Sequence, residues 1–260
     1  MNKRVVIVLC LILFAYQVDP KYKLIVAANR DEFYARPTAP AQFWEDHPDI
    51  LAGRDLKQMG TWMGITKSGK FAALTNYRDP SEITDGNRSR GELVGNFLKE
   101  EFPPQNYLES VAKNKDDYPG FNLLVGDANQ LFYYANIENE IHELQPGVYG
   151  LSNHLLNTEW PKVKIGKAGL QKIISTGGDN FDEELFALLQ NADEAPDIEL
   201  PKTGVTLEWE RVLSALFIQS ENYGTRSSTI LKMTDAEIEF KEKVYAKERI
   251  IEQTFTVKYK

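Results

Sequence analysis

The chain holds one cysteine, Cys10, and three histidines, and the chemistry open to it begins with that thiol. A thiolate is a strong nucleophile once a neighbouring cation or base lowers its pKa. His154, with Asn157 after it, falls about 130–150 residues downstream of Cys10, the interval of a papain-type Cys-His-Asn triad. Against that reading, the residues from Val5 to Tyr16 are apolar around the cysteine, with no sign of the glycine, serine and tryptophan that flank a papain-type nucleophile. His154 therefore reads as a loop or surface histidine. One cysteine cannot form an internal disulfide, and one cysteine with three scattered histidines falls short of a structural zinc site, so no metal is expected.

A second pattern is polar residues where apolar strands end. Asn29-Arg30-Asp31-Glu32 follows Leu24–Ala28, Asn76 ends Phe71–Thr75, Asn153 ends Val148–Ser152, and Arg226 opens the strand after Gly224-Thr225. Each has a dull explanation, because asparagine favours strand-terminating turns and arginine snorkels. Together, beside one cysteine in an apolar run, they point to convergence on a site. Phosphate-binding loops, dinucleotide fingerprints, His-Glu-x-x-His and EF-hand loops are all missing. Asn87-Arg88-Ser89 matches a glycosylation sequon and reads as a polar loop.

The positioning elements are legible as segments. Cys10–Gln17 and Lys23–Asn29 read as strands around the turn Val18-Asp19-Pro20, and Thr61–Thr66 with Lys70–Asn76 as a hairpin around Lys67-Ser68-Gly69. Gly91–Glu101 gathers Leu93, Val94, Phe97 and Leu98 on one helical face and stops at Pro103-Pro104. Strands are expected again at Phe121–Val125, Leu131–Asn136 and Val148–Ser152. Helices follow over Trp160–Ile174, Phe181–Leu189 and Glu208–Phe217, then strands at Thr225–Lys232, Glu237–Val244 and Ile250–Val257. Turn-linked strands with segregated helices predict an α+β layered fold rather than βαβ units. With 260 residues, 42% of them hydrophobic, and neither linker nor repeat, one domain over residues 10–260 is expected.

Lys3 and Arg4 before an apolar run look like the start of an export signal, but no small-x-small cleavage pattern follows. The run is also shorter than the ~20 residues that span a bilayer, so it reads as a buried strand without stable membrane insertion. A net charge of −8 argues against a nucleic-acid partner, and a lone thiol suits a reducing cytoplasm.

Cys10-Leu11-Ile12, Ala28-Asn29-Arg30-Asp31-Glu32-Phe33 and Leu51-Ala52-Gly53-Arg54-Asp55 resemble the NRDE family, also called transport and Golgi organisation protein two. Gly60-Thr61-Trp62-Met63-Gly64, Ala73-Leu74-Thr75-Asn76-Tyr77-Arg78, Gly150-Leu151-Ser152-Asn153, Trp160-Pro161-Lys162-Val163 and Gly224-Thr225-Arg226-Ser227-Ser228-Thr229 extend the likeness over nearly the whole chain. The resemblance implies an N-terminal-nucleophile (Ntn) hydrolase fold, a four-layer α-β-β-α sandwich of mostly antiparallel sheets. It also implies that the cysteine becomes residue one, its α-amine serving as base. A free α-amine titrates near 7.7–8 and a thiol near 8.5, so such a pair can exchange a proton at neutral pH without a histidine.

By that resemblance Cys10 would be the nucleophile of an amidase acting on a non-peptide amide or acyl substrate. Arg30, Asp31, Asn76, Asn153 and Arg226 would complete the catalytic set, with Asn76 and Asn153 as oxyanion donors and the arginines favouring the thiolate. The individual roles of Asn29, Arg30 and Asp31 stay open to a shift of one residue. Substrate contacts are expected from Asn29 and Tyr77, and from Phe43 and Trp44 in the loop Arg36–Asp46, with Arg78–Arg90 as a second lining loop. Met1–Leu9 precede the cysteine here, where the family usually starts Met-Cys. Proteolytic maturation, loss of the amine base and a start codon misassigned upstream of Leu9 compete as explanations, and the last is favoured. Hydrolysis would need no cofactor. The alternative that the resemblance carries is a non-enzymatic handler of haem, lipid or acyl-CoA on the same fold, with Cys10 or a histidine as axial ligand. A third, weaker reading is an interaction module supporting membrane traffic.

Overall fold

The structure is a computed structural model that describes residues 10–78, 86–246 and 249–259; Met1–Leu9 and the middle of the loop Arg78–Arg90 lie outside the described residues. Apolar side chains on both faces of a strand force it into the interior. β1 (Cys10–Tyr16) shows this: Ile12, Phe14 and Tyr16 are buried on one face, Leu11, Leu13 and Ala15 on the other. It lies between β2 (Leu24–Phe33) and β10 (Gly147–Leu151). Beyond β2 come β11 (Tyr223–Met233), β12 (Glu237–Ala246) and β13 (Arg249–Lys258), giving a six-stranded antiparallel sheet. The second sheet runs in chain order through β3 (Thr38–Phe43), β4 (Ile50–Asp55), β5 (Met63–Thr66), β6 (Phe71–Asn76), β7 (Phe121–Gly126), β8 (Leu131–Ala135) and β9 (Glu140–Glu143).

Period-two alternation then sorts side chains into layers. Ile12, Phe14, Val26 and Leu231 of the first sheet meet Leu51, Ile65, Phe71 and Tyr133 of the second in the inter-sheet core. Leu11, Leu13, Ile25 and Ala27 face α3 (Pro161–Thr176) and α4 (Phe181–Leu189). The outer face of the second sheet, including Ala72, Leu74 and Leu123, is covered by α1 (Gly91–Lys99) and α2 (Pro104–Lys113). The result is the α-β-β-α sandwich that the resemblance implied. α3 lies tight on β1: a Cβ at Gly166 would sit 2.7 Å from Leu13 Cδ1, so no larger residue fits without displacement.

Several elements differ from their sequence reading. β2 continues through Arg30–Phe33 rather than ending at Asn29, because alternation there persists in polar residues that find buried partners. Pro104 opens α2 instead of only stopping α1, since a proline costs nothing at the first helical position. β3 carries Pro40 and an irregular register between Ala39 and Gln42, as an edge strand tolerates. It replaces much of the expected loop Arg36–Asp46. β9 is a short polar edge strand without apolar periodicity. The last helix, α5 (Leu207–Ser214), ends three residues before Phe217.

Candidate functional site

At the N-terminal end of β1 a cavity of about 520 Å³ opens between the layers. Cys10, Arg30 and Glu32, Arg226 and Ser227, and Glu242 line it from the first sheet, Asn76 from β6, and Arg90 and Gly91 from the start of α1. Backbone register explains the grouping. Cys10 pairs with Arg30, and Arg30 pairs on its other side with Ser227, so three neighbouring strands present these side chains together. Cys10 continues the face of Ile12 and Phe14, and Arg30 and Glu32 continue that of Val26 and Ala28. The register of β11 against β2 shifts between Thr225 and Ser227, making Arg226 an extra residue at a bulge. Its guanidinium Nη1 donates to the carbonyls of Phe33, Tyr34 and Arg36 at 3.0, 3.3 and 3.2 Å, fastening the turn after β2 to the cavity wall.

Asn29 and Asp31 sit on the opposite face of the same strand, against the helices. Asn29 Nδ2 donates to the carbonyls of Leu189 and Leu216, both at 2.8 Å, and its Oδ1 accepts from Ser228 Oγ at 2.6 Å. Asp31 Oδ1 accepts from Thr225 Oγ1 at 2.7 Å, while Oδ2 is buried without a hydrogen-bond partner among the described residues. Burial pushes its carboxyl up to about 7 against the pull of Lys162, Thr225 and Arg30. Lys162, delivered by the first turn of α3, is likewise buried, with Nζ unpartnered. Burial lowers that ammonium, and Asp31 holds it up. The alternation of one strand thus decides what spacing left open: Arg30 and Glu32 belong to the cavity, Asn29 and Asp31 to the scaffold behind it.

Asn153 ties the site together. Its Oδ1 accepts from the Cys10 backbone nitrogen at 3.2 Å and from Ser152 Oγ at 3.2 Å, its Nδ2 donates to the Asn76 carbonyl at 2.9 Å, and its own carbonyl accepts from the Arg78 nitrogen at 2.7 Å. Ser152 Oγ also donates to the Cys10 carbonyl at 3.0 Å. The first residue of β1 is therefore held at both backbone ends by the segment after β10. With its amide oxygen turned to the Cys10 nitrogen, Asn153 suits holding that nitrogen better than donating to an oxyanion. Burial pushes the Cys10 thiol up to about 12, helped by the Asp31 carboxylate and opposed by Arg30. With its peptide nitrogen acylated, Cys10 carries a proton at neutral pH.

Other expected contacts fall elsewhere. Phe43 stacks edge-on with Phe255 between the sheets, and Trp44 is 1% exposed beneath α1, its Nε1 donating to the Ala52 carbonyl at 3.2 Å. Trp44 is a core residue, Phe43 is half-buried against the inter-sheet core, and neither lines the cavity. The Tyr77 hydroxyl is 3.2 Å from His154 Nε2, and His154 Nδ1 is 3.0 Å from Thr158 Oγ1, so this histidine is occupied in a side-chain network away from Cys10. Arg90 and Glu242 were missed. Glu242 had a signal: it stands in phase with Ile238 and Phe240 on β12 and so points inward, where its carboxylate accepts from the Ala41 nitrogen at 2.7 Å.

Among the described residues no histidine lines the cavity and both His154 nitrogens lie within hydrogen-bond distance of neighbours, which leaves Cys10 as the cavity's candidate axial ligand for haem. Among the described residues no group of three or more histidine, cysteine, aspartate or glutamate side chains could hold a metal, and no helix is long and apolar enough to cross a membrane.

The Transport and Golgi organisation 2 family model matches residues 9–248, a span that takes in β1 through β12. The chain belongs to that family. A Transport and Golgi organization protein 2 homolog from Bos taurus is 38% identical over 259 residues, covering 90% of this chain and 92% of the relative. The Homo sapiens homolog is 35% identical, covering 90% and 92%. Transport and Golgi organization protein 2 from Drosophila melanogaster is 31% identical, covering 88% and 89%. Among solved structures, a Caenorhabditis elegans N-acylethanolamine-hydrolyzing acid amidase ortholog is similar with a TM-score of 0.49 and 9% identity, covering 85% of this chain and 92% of that one. A conjugated bile acid hydrolase from Clostridium perfringens gives 0.44 and 10%, covering 98% and 97%.

Proposed function

We propose that the cavity hydrolyses a small non-peptide amide, with Cys10 as nucleophile and first residue of a mature chain. The observation that carries this reading is the bond from the Cys10 backbone nitrogen to Asn153 Oδ1, at 3.2 Å, beside a side chain that lines the cavity. An α-amine in that place is held next to its own thiol, and Asn153 acts as its positioning residue. The amine takes the thiol proton as the sulfur attacks the substrate carbonyl carbon. The C=O electrons move to an oxyanion, facing the Arg30 guanidinium and Asn76 on the cavity wall. Collapse of the intermediate expels the amine product, which leaves with the proton held by the α-ammonium, and a thioester to Cys10 remains. Water, deprotonated by the α-amine, attacks the thioester; the acid departs and the thiol recovers its proton. A chain whose Cys10 nitrogen is an amide lacks this base, and its buried thiol is inert.

The test is to compare a chain beginning at Cys10 with the full chain. The first should be alkylated by iodoacetamide at pH 8 at least tenfold faster and should turn over acyl amides; Cys10→Ala should do neither. Equal labelling of both chains, or turnover that survives Cys10→Ala, overturns the reading.

A further inference from the structure

Six arginines line the cavity, Arg30, Arg36, Arg54, Arg88, Arg90 and Arg226, against three carboxylates, Glu32, Asp55 and Glu242. Most are already matched. Arg30 and Arg36 share Glu32, Arg36 also holds Asp55, Arg54 holds Asp46, and Arg88 holds Glu92 and Asp117. Arg226 is taken up by the carbonyls of the turn after β2. Arg90 is different. Its Nη1 donates to the Gly120 carbonyl at 2.9 Å, and it has no carboxylate partner among the described residues. Glu242 is engaged elsewhere, its carboxylate accepting from the Ala41 nitrogen at 2.7 Å. A desolvated cation without a counter-ion is costly, and burial lowers Arg90 to about 10 even with Cys10 and Glu32 holding it up. Arg90 also occupies the N-cap of α1, so the positive end of a helix dipole adds to the same spot. The protein as a whole carries −8, which makes this local positive excess harder to dismiss as a general surface property.

Pro40, Trp62, Val244 and Ile251 make part of the wall apolar. We infer that the cavity takes an amphipathic acyl compound carrying an anionic oxygen group, a carboxylate or a phosphate, and that Arg90 binds that group. The amide bond in such a ligand rests on the hydrolase reading above; the anion does not.

The test uses calorimetric titration of the full chain carrying Cys10→Ser, which cannot turn over, with N-octanoylglycine, its neutral analogue N-octanoylglycinamide, and octyl phosphate. At least one anion should bind tenfold or more tighter than the glycinamide, and that advantage should shrink in high salt. Arg90→Gln should abolish the preference, and Arg90→Lys should keep part of it, which shows that position 90 tolerates change. Whichever anion binds tighter identifies carboxylate or phosphate. Equal affinity for charged and neutral probes, or a preference that survives Arg90→Gln, overturns the inference. An anion preference without turnover by the Cys10-initiated chain removes the hydrolase reading alone. Turnover of the glycinamide as fast as the glycine compound removes the anion alone.

Discussion

Asn29 to Glu32 are consecutive in one strand, yet they live in two environments. Arg30 and Glu32 face the cavity, with partners that are other charged groups, Glu32 pairing with Arg30 at 3.6 Å and Arg36 at 3.5 Å. Asn29 and Asp31 face the helix layer, where their partners are the carbonyls closing α4, the Leu216 carbonyl and the hydroxyls of β11. The contrast separates two jobs that a motif in a sequence runs together. Odd residues fasten the helices to the sheet, and even residues hold the charge balance of the site. Substitutions on the two faces should therefore fail in different ways, the first in stability and the second in reactivity.

The largest expected effect is on the helix face. Asn29→Leu leaves the Leu189 and Leu216 carbonyls without their donor and Ser228 Oγ with Tyr245 Oη alone, in a position that is fully buried. Unsatisfied buried polar groups cost about 1–3 kcal/mol each, so a loss of roughly 3–5 kcal/mol is expected in urea unfolding. The protein that remains folded should still react at Cys10 at nearly the native rate. A mild loss of stability with a collapse in reactivity would reverse the assignment of faces.

Asp31 gives the same face a pH signature. Its folded-state pKa is raised, from 3.8 to about 7, so the native state keeps a proton that the unfolded chain releases near pH 4. The unfolded state then binds fewer protons between those values, and stability falls as pH rises through that window and levels off above it. The expected loss is on the order of a few kcal/mol between pH 4.5 and 7.5, read from unfolding midpoints. Asp31→Asn keeps an oxygen for Thr225 and removes the titration, so its profile should be flatter. A wild-type profile that rises across the same window would contradict the burial of Asp31.

The strands and most helices were readable because apolar periodicity and turn residues are local signals. Elements that lack them were not: β9 offers Ile141 alone among polar residues, and β3 carries a proline at the sheet edge. The site was legible only in outline. That Cys10, Arg30, Asn76 and Asn153 come together follows from the ends of β1, β2, β6 and β10, which a strand reading locates. Which of Asn29, Arg30 and Asp31 faces the cavity depends on extending the phase of Leu24, Val26 and Ala28 through polar residues. Phe43 and Trp44 were drawn to the site because they lay in what read as a loop; β3 instead packs Phe43 against the inter-sheet core, and Trp44 is buried beneath α1. Arg90 carried no local signal, since its want of a carboxylate partner among the described residues depends on tertiary neighbours.

A smaller effect tests the hydrogen bond behind Asp31. The Thr225 hydroxyl donates to Asp31 Oδ1 at 2.7 Å and accepts from the Ile218 nitrogen at 2.9 Å. Thr225→Val keeps the shape and removes both bonds, for an expected loss of about 1–2 kcal/mol at neutral pH. It also removes an interaction that lowers the Asp31 pKa, so the falling part of the pH profile should extend further upward.

The smallest stability change should come from the cavity face, and it makes the sharpest contrast. Arg30→Ala removes one partner of Glu32 but leaves Arg36 beside it and the Phe33 nitrogen donating to Glu32 Oε1 at 2.9 Å. Glu32 therefore stays compensated, and the expected cost is about 1 kcal/mol or less. Reactivity should respond more. Arg30 is the charge that most directly draws the Cys10 thiol down, and its loss should slow iodoacetamide labelling of the folded protein by roughly tenfold or less at fixed pH. Arg30→Lys should recover most of that rate, because the effect is one of charge at a fixed place. If Arg30→Ala unfolds as readily as Asn29→Leu while labelling is unchanged, then both faces of β2 are scaffold, and the cavity's chemistry does not begin at this strand.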